Sequence, residues 1–379
     1  VKLHSIEARM YAVGFGDCFL LAFRYTGGAS RHVLIDFGTT AYPRAREHAL
    51  LRPIAEDIAR RTGGKLAAVV ATHRHRDHIG GFSPFPRASA PGAVVAALKP
   101  ELIVQPWTEN PALGEDARYP APFPRFALSA APRAEWLEVA RNNLANRPAI
   151  RLLETMPGEH RYVYAGWRSG LGDLLPGVRV DVLGPLSPRQ ARRSNVARFW
   201  ASEMASLAPG KPLFPGFAAM RRWPLDTRWL LNRIQDFHSD RALELTRAYD
   251  SDINNTSVVL AFRALGHTLL FPGDAETESW AGILARRGNA KIVGATTLLK
   301  TSHHGSANGT PAALWEALPR TFTALLSTQG GVYGQNVPCA DLLSRMRARS
   351  RVIDSREYPR GSSVAVELIA GKAPRKLDG

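Results

Sequence analysis

Three imidazoles and a carboxylate fall within six positions of one another in Thr72-His73-Arg74-His75-Arg76-Asp77-His78-Ile79-Gly80-Gly81. The segment follows a short apolar run, residues 66–72, that reads as a strand buried on both faces. Alternate residues on such a turn point the same way, so His73 and His75 can converge on one point, and Asp77 and His78 can face a second. A structural role would require a separate buried partner for each of three histidines, which is a poor explanation of the cluster. The chemistry that these types and spacings fit is metal coordination. Cys18 and Cys339 are the only cysteines, so cysteine-rich zinc modules are excluded and the ligands must be imidazole and carboxylate.

Four residues would leave two ions short of ligands, and the second half of the chain offers more. Asp274 ends Leu269-Leu270-Phe271-Pro272-Gly273-Asp274, a strand running into a turn, where a carboxylate can bridge two cations. His303-His304-Gly305-Ser306 follows another predicted strand, residues 296–301. Two-metal hydrolysis places its ions about 3.5–4 Å apart, and a bridging carboxylate is one means of holding them there.

The elements that must position these groups recur in a similar order. A hairpin is predicted from strands 10–13 and 18–25 around Gly14-Phe15-Gly16-Asp17, then a strand at 32–36, a helix at 45–61, and strands at 66–72 and 102–105. Near the C-terminus, strands 256–263 and 267–271 form a second hairpin, followed by a helix at 276–287. Further strands are expected at 296–301, 322–327, 351–354 and 363–369, with helices at 311–318 and 339–349. Two such halves imply an α/β fold with two sheets packed together and helices outside. Residues 108–150, with a helix predicted at 133–146, and residues 186–250, with Trp200, Trp223 and Trp229, are expected as insertions into one domain spanning 1–379. The second is a candidate lid or protein-partner surface.

Composition narrows the class. At 45% hydrophobic and 22% charged residues, the 379-residue chain is globular in character. No apolar run approaches the roughly 18 residues of a membrane span, and residues 1–10 do not read as a signal peptide, so a cytoplasmic location is expected. The net charge is +16, with 49 Lys and Arg against 33 Asp and Glu, which favours a polyanionic partner such as nucleic acid. The Gly14-Phe15-Gly16 run lacks the third glycine and the following helix of a dinucleotide site, and no phosphate loop or nucleophile elbow is present.

His73, His75, Asp77 and His78 together resemble the His-x-His-x-Asp-His motif of the metallo-β-lactamase superfamily. The resemblance extends to the hydrolase domain of the competence-protein ComEC group through Gly14–Asp17, Asp36, Asn254-Asn255-Thr256-Ser257-Val258, Gly273-Asp274 and His303–Ser306. The phosphorylcholine esterases share the last of these. It covers about residues 7–107 and 251–370 and implies a four-layer αββα sandwich with two divalent ions, zinc or else manganese or iron. By the family pattern His73, His75 and Asp274 hold one ion, and Asp77, His78, Asp274 and His304 the other. His303 then donates to a substrate oxygen, and Asp36 orients a ligand histidine from behind. Many relatives have a further histidine before the bridging aspartate; His160 and His238 are the candidates here. The ComEC-like proteins carry membrane-spanning segments beside this domain, which this sequence lacks.

The expected reaction is hydrolysis by a hydroxide held between the ions, with Asp77 orienting it and His303 stabilising charge on substrate oxygens. A phosphodiesterase or nuclease fits best. The alternatives are a lactone, thioester or amide hydrolase, and a binding or regulatory module without turnover. Glu276 is expected to cap the helix after Asp274, and His4, His32, His48 and His267 to be structural.

Overall fold

The computed structural model describes residues 1–40, 44–85, 90–111, 146–187, 190, 254–331 and 337–377. The predicted helix at 133–146 falls outside these except for Asn146, as do His238, the three tryptophans and most of both predicted insertions.

Fourteen described strands form two sheets. The first runs in the order β14-β13-β1-β2-β3-β4-β5-β6. It comprises β1 (Leu3–Tyr11), β2 (Cys18–Tyr25), β3 (Ser30–Phe37), β4 (Ala68–Val70), β5 (Leu102–Pro106), β6 (Glu159–Val163), β13 (Ser363–Ile369) and β14 (Arg375–Leu377). The second, ordered β12-β11-β10-β9-β8-β7, comprises β7 (Arg179–Gly184), β8 (Val259–Ala264), β9 (His267–Phe271), β10 (Leu298–Lys300), β11 (Thr323–Leu326) and β12 (Arg351–Asp354).

Strand periodicity explains the layering. Ala68 and Val70 of β4 enter a core between the sheets, while Val69 enters another beneath the helices. On β9, Leu269 and Phe271 face the first core and Leu270 faces a third, under Trp280 and Ile283 of helix Thr277–Leu284. Three buried cores separate four layers, helix, sheet, sheet, helix, as expected for strands that are apolar on both faces. Between the sheets Phe19 meets Phe271 edge-on with ring centres 5.5 Å apart, and Phe23 lies 6.0 Å from Phe262.

Some elements differ from the sequence expectation. β1 begins at Leu3 rather than at residue 10, paired with β2 from Leu3 and with β13 from Ser5; Glu7 and Arg9, which pair with each other, interrupt the apolar pattern that would have marked it. β6, β7 and β14 were not expected. β6 and β14 are sheet edges with half-exposed, charge-rich faces, so neither alternation nor an apolar run marks them. The predicted strand at 66–72 is regular only over Ala68–Val70, with Ala67 N–H still donating to the His32 carbonyl and Ala71 N–H to the Val104 carbonyl, and the chain from Thr72 turns to present the histidines. Among the described residues no helix is long and apolar enough to cross a membrane.

Candidate metal centre

Among the described residues, the histidine motif, Asp274, His303 and His304 lie just beyond C-terminal strand ends of the two sheets. β4 leads into Thr72 and the histidine turn, β9 into Gly273 and Asp274, and β10 into the turn Ser302–Gly305. The two sheets meet there through backbone: the Val258 N–H donates to the Thr72 carbonyl at 2.9 Å. Gly16 lets the Gly14–Asp17 turn close on the same point. A β-carbon at Gly16 would stand 2.5 Å from the Gly38 carbonyl oxygen and 2.6 Å from that of Asp77, and its φ of +146° is one that side-chain-bearing residues rarely adopt. Asp17 N–H accordingly donates to the Asp77 carbonyl at 2.9 Å.

Asp77, His78, Asp274 and His304 each bring one ligand atom within 4.8 Å of the others, and all four are buried. His78 Nε2 is 2.9 Å from Asp274 Oδ2; His304 Nε2 is 3.2 Å from the same oxygen and 3.3 Å from Asp77 Oδ2. The far side of each ring is tied down elsewhere. His78 Nδ1 donates to Asp36 Oδ2 at 2.8 Å, and His304 Nδ1 to the Ser327 carbonyl at 2.9 Å. Asp36 is itself held by the N–H and hydroxyl of Thr72, both at 2.7 Å. Fixing one ring nitrogen through a carboxylate or carbonyl is what turns the other toward a cation.

His73 and His75 lie beside this group and not within it. His73 Nε2 is 3.0 Å from His75 Nδ1, and the His73 ring centre is 4.1 Å from that of His78. Ser257 Oγ, 3.3 Å from His73 Nδ1, also accepts the Asp274 N–H at 3.0 Å, so one hydroxyl links the two halves of the site. The groups of three or more ligand atoms within 4.8 Å among the described residues include neither His73 nor His75. His160 is elsewhere, in β6, with Nε2 on the Met156 carbonyl at 3.0 Å.

His303 and His304 diverge although adjacent. Both have left-handed backbone, with φ of 45° and 50°, a cost that persists where surrounding contacts over-determine it. The His304 side chain is fully buried, whereas that of His303 is 20% exposed. His303 Nδ1 lies 3.1 Å from Glu276 Oε1, and that oxygen also accepts from Asn254 Nδ2 at 2.8 Å. This corrects the expectation that Glu276 caps its helix. Asn255 Oδ1 is the cap, accepting the N–H groups of Glu276 and Ser279 at 3.1 and 3.3 Å, and the Glu276 carboxylate is released to the site.

Burial disfavours every charge here, and at His78, His304 and Asp77 the partners outweigh it. Asp274, Asp36 and Asp17 hold the His78 imidazole well above its ordinary range, and Asp274 and Asp17 push His304 up to about 10. Against the same burial, a hydrogen bond from His304 and the charge of His78 bring Asp77 down to about 2. His73 is held low by burial and by the neighbouring imidazoles of His78 and His75. Protons on His78 and His304 thus stand where a cation would balance the carboxylates. Asp77 Oδ1 remains buried without a hydrogen-bond partner. Hard and borderline oxygen and nitrogen donors, anchored behind and one of them orphaned, fit a divalent cation.

Sequence reasoning missed Lys300 and gave no role to Asp17. Lys300 reads as the polar end of an apolar strand, and Asp17 as a turn residue; their ion pair of 2.5 Å joins positions 283 residues apart.

A comparison with curated proteins finds no match. Residues 11–160 match the family model described as the metallo-beta-lactamase superfamily. That stretch runs from the end of β1 into β6 with the histidine motif near its middle, and together with the two-sheet architecture it supports a metallo-beta-lactamase superfamily domain in this chain.

Proposed function

We propose that the protein is a metal-dependent hydrolase that takes two divalent cations, zinc or else manganese or iron, and cleaves phosphodiesters, nucleic acid among them. The observation that carries the reading is the buried group Asp77, His78, Asp274 and His304 with its orphaned Asp77 oxygen. These four would hold one cation; His73 and His75, with Asp274, would hold the other. Bound divalent cations supply Lewis acidity and make water easier to ionise near neutral pH.

The chain's own residues do the rest. Asp36 and the Ser327 carbonyl keep His78 and His304 turned inward, and the exposed edge of His303 is the group left to meet a substrate oxygen. Glu276 holds that ring through Nδ1, so its orientation is set before substrate arrives, which is where electrostatic stabilisation gains most. A donor set without cysteine and a net charge of +16 favour an anionic phosphodiester over a neutral lactam.

The test is elemental analysis of protein purified without added metal, together with turnover of a model phosphodiester, single- and double-stranded DNA and RNA, and a lactone. Phosphodiester turnover that chelator abolishes and metal restores is expected. Lactone turnover alone would move the substrate class, and metal without any turnover would point to a binding module.

A further inference from the structure

Lys300 ends β10 with its side chain 2% exposed. Its ammonium has three donors and meets three acceptors: Asp17 Oδ2 at 2.5 Å, Asp274 Oδ1 at 3.0 Å and the Gly273 carbonyl at 2.8 Å. Burial works against this charge, but Asp17 and Asp274 hold it above the usual lysine range.

Two consequences follow for the neighbouring donors. Asp274 Oδ1 is already taken, and Oδ2 is the atom that faces His78 and His304. In addition, Asp17, Asp36 and His78 bring ligand atoms within 4.8 Å of one another, the same closeness as the first group. Yet the Lys300 ammonium sits on Asp17, and Asp36 is engaged by His78 and Thr72. A buried ion pair is weak evidence of a contribution to stability, because apolar replacements of similar volume are often no worse. The placement of this one against two groups of ligand type is better explained by control of the site.

We propose that Lys300 is a positioning residue, an internal cation that presents Asp274 through Oδ2 alone and closes the Asp17–Asp36–His78 group to a metal ion. The inference rests on the reading that the adjacent group takes a divalent cation.

Cobalt(II) is the probe. Wild type, Lys300→Met and the double variant Lys300→Met/Asp17→Asn are stripped with chelator and titrated by equilibrium dialysis. Visible spectra are recorded, and folding is checked by circular dichroism. Lys300→Met is expected to take one cobalt equivalent more than wild type, with an altered visible spectrum, because the second group is opened and Asp274 Oδ1 is freed. The double variant, with a carboxylate of that group removed, is expected to return to the wild-type equivalents while keeping the altered spectrum. Folded Lys300→Met with wild-type equivalents and spectrum overturns the proposal while leaving the cation reading intact. If Lys300→Met does not fold, the double variant, which removes both charges of the pair, decides by its spectrum: altered supports the proposal, unchanged overturns it. Wild type that takes no cobalt overturns the reading and the proposal together.

Discussion

Two charged clusters in this protein differ in balance. On the face of β1 and β2, Glu7 accepts from Arg9 at 2.7 Å and from Arg24 at 2.5 Å, so one carboxylate is met by two guanidinium groups. At the strand ends, the carboxylates of Asp17, Asp36, Asp77 and Asp274 share one ammonium and two raised imidazoles, and two of their oxygens, Asp17 Oδ1 and Asp77 Oδ1, have no hydrogen-bond partner. The first cluster is complete and needs only the fold. The second is held together by protons that a metal ion could replace, so cation binding there releases protons and depends on pH. A closed ion cluster leaves nothing for a ligand to satisfy, whereas an anchored and incompletely satisfied one has the make-up that a cation site requires.

The largest effect expected from this contrast is at Asp274. Asp274→Ala removes the oxygen shared by His78 and His304 and should weaken divalent-cation binding by roughly 100-fold or more, measured by competition with a chromophoric chelator. His75→Ala, beside the group and not in it, should leave the folded protein with fewer metal equivalents; the reverse ranking would break the comparison. Next, zinc at about 100 times its Kd should raise the unfolding free energy by roughly 2.7 kcal/mol, seen as a higher Tm. That gain should survive Glu7→Gln and be lost in Asp274→Ala.

Glu7→Gln itself should cost roughly 2 kcal/mol at pH 7 by leaving charged donors poorly met. Burial raises the Glu7 carboxyl but Arg9 and Arg24 outweigh it, so its folded value lies below the ordinary 4.5. A depressed folded value means the stabilisation is complete above about pH 4.5 and is lost as pH falls through the folded value. Urea unfolding from pH 7 to pH 3 should therefore show the mutant's deficit shrinking with acid; a deficit constant with pH would assign it to packing. The smallest effect is expected at Asp36→Asn, which keeps a weaker acceptor for His78 and should lower cation affinity about 10-fold by isothermal titration.

Much of this was readable from residue order. The histidine motif, Asp274 and the His303–His304 pair are local signals, and the strands that carry them are apolar on successive positions because both faces are covered. Glu276 was misread because its neighbours in sequence make it a helix cap, and the competing cap, Asn255, lies 21 residues away. β6 escaped notice because an edge strand with half-exposed charges carries no apolar signature.

The sequence alone determined which residue types could hold a cation and which strands would bury themselves on both sides, since motif spacing and period-two burial are local properties. Only the tertiary structure decided how those groups are wired. It put Lys300 between Asp17 and Asp274, chose His304 over His303 for the interior, and set His73 and His75 beside the four-residue group. Each of these depends on which strand ends meet across two sheets, a relation among distant residues that no local pattern encodes.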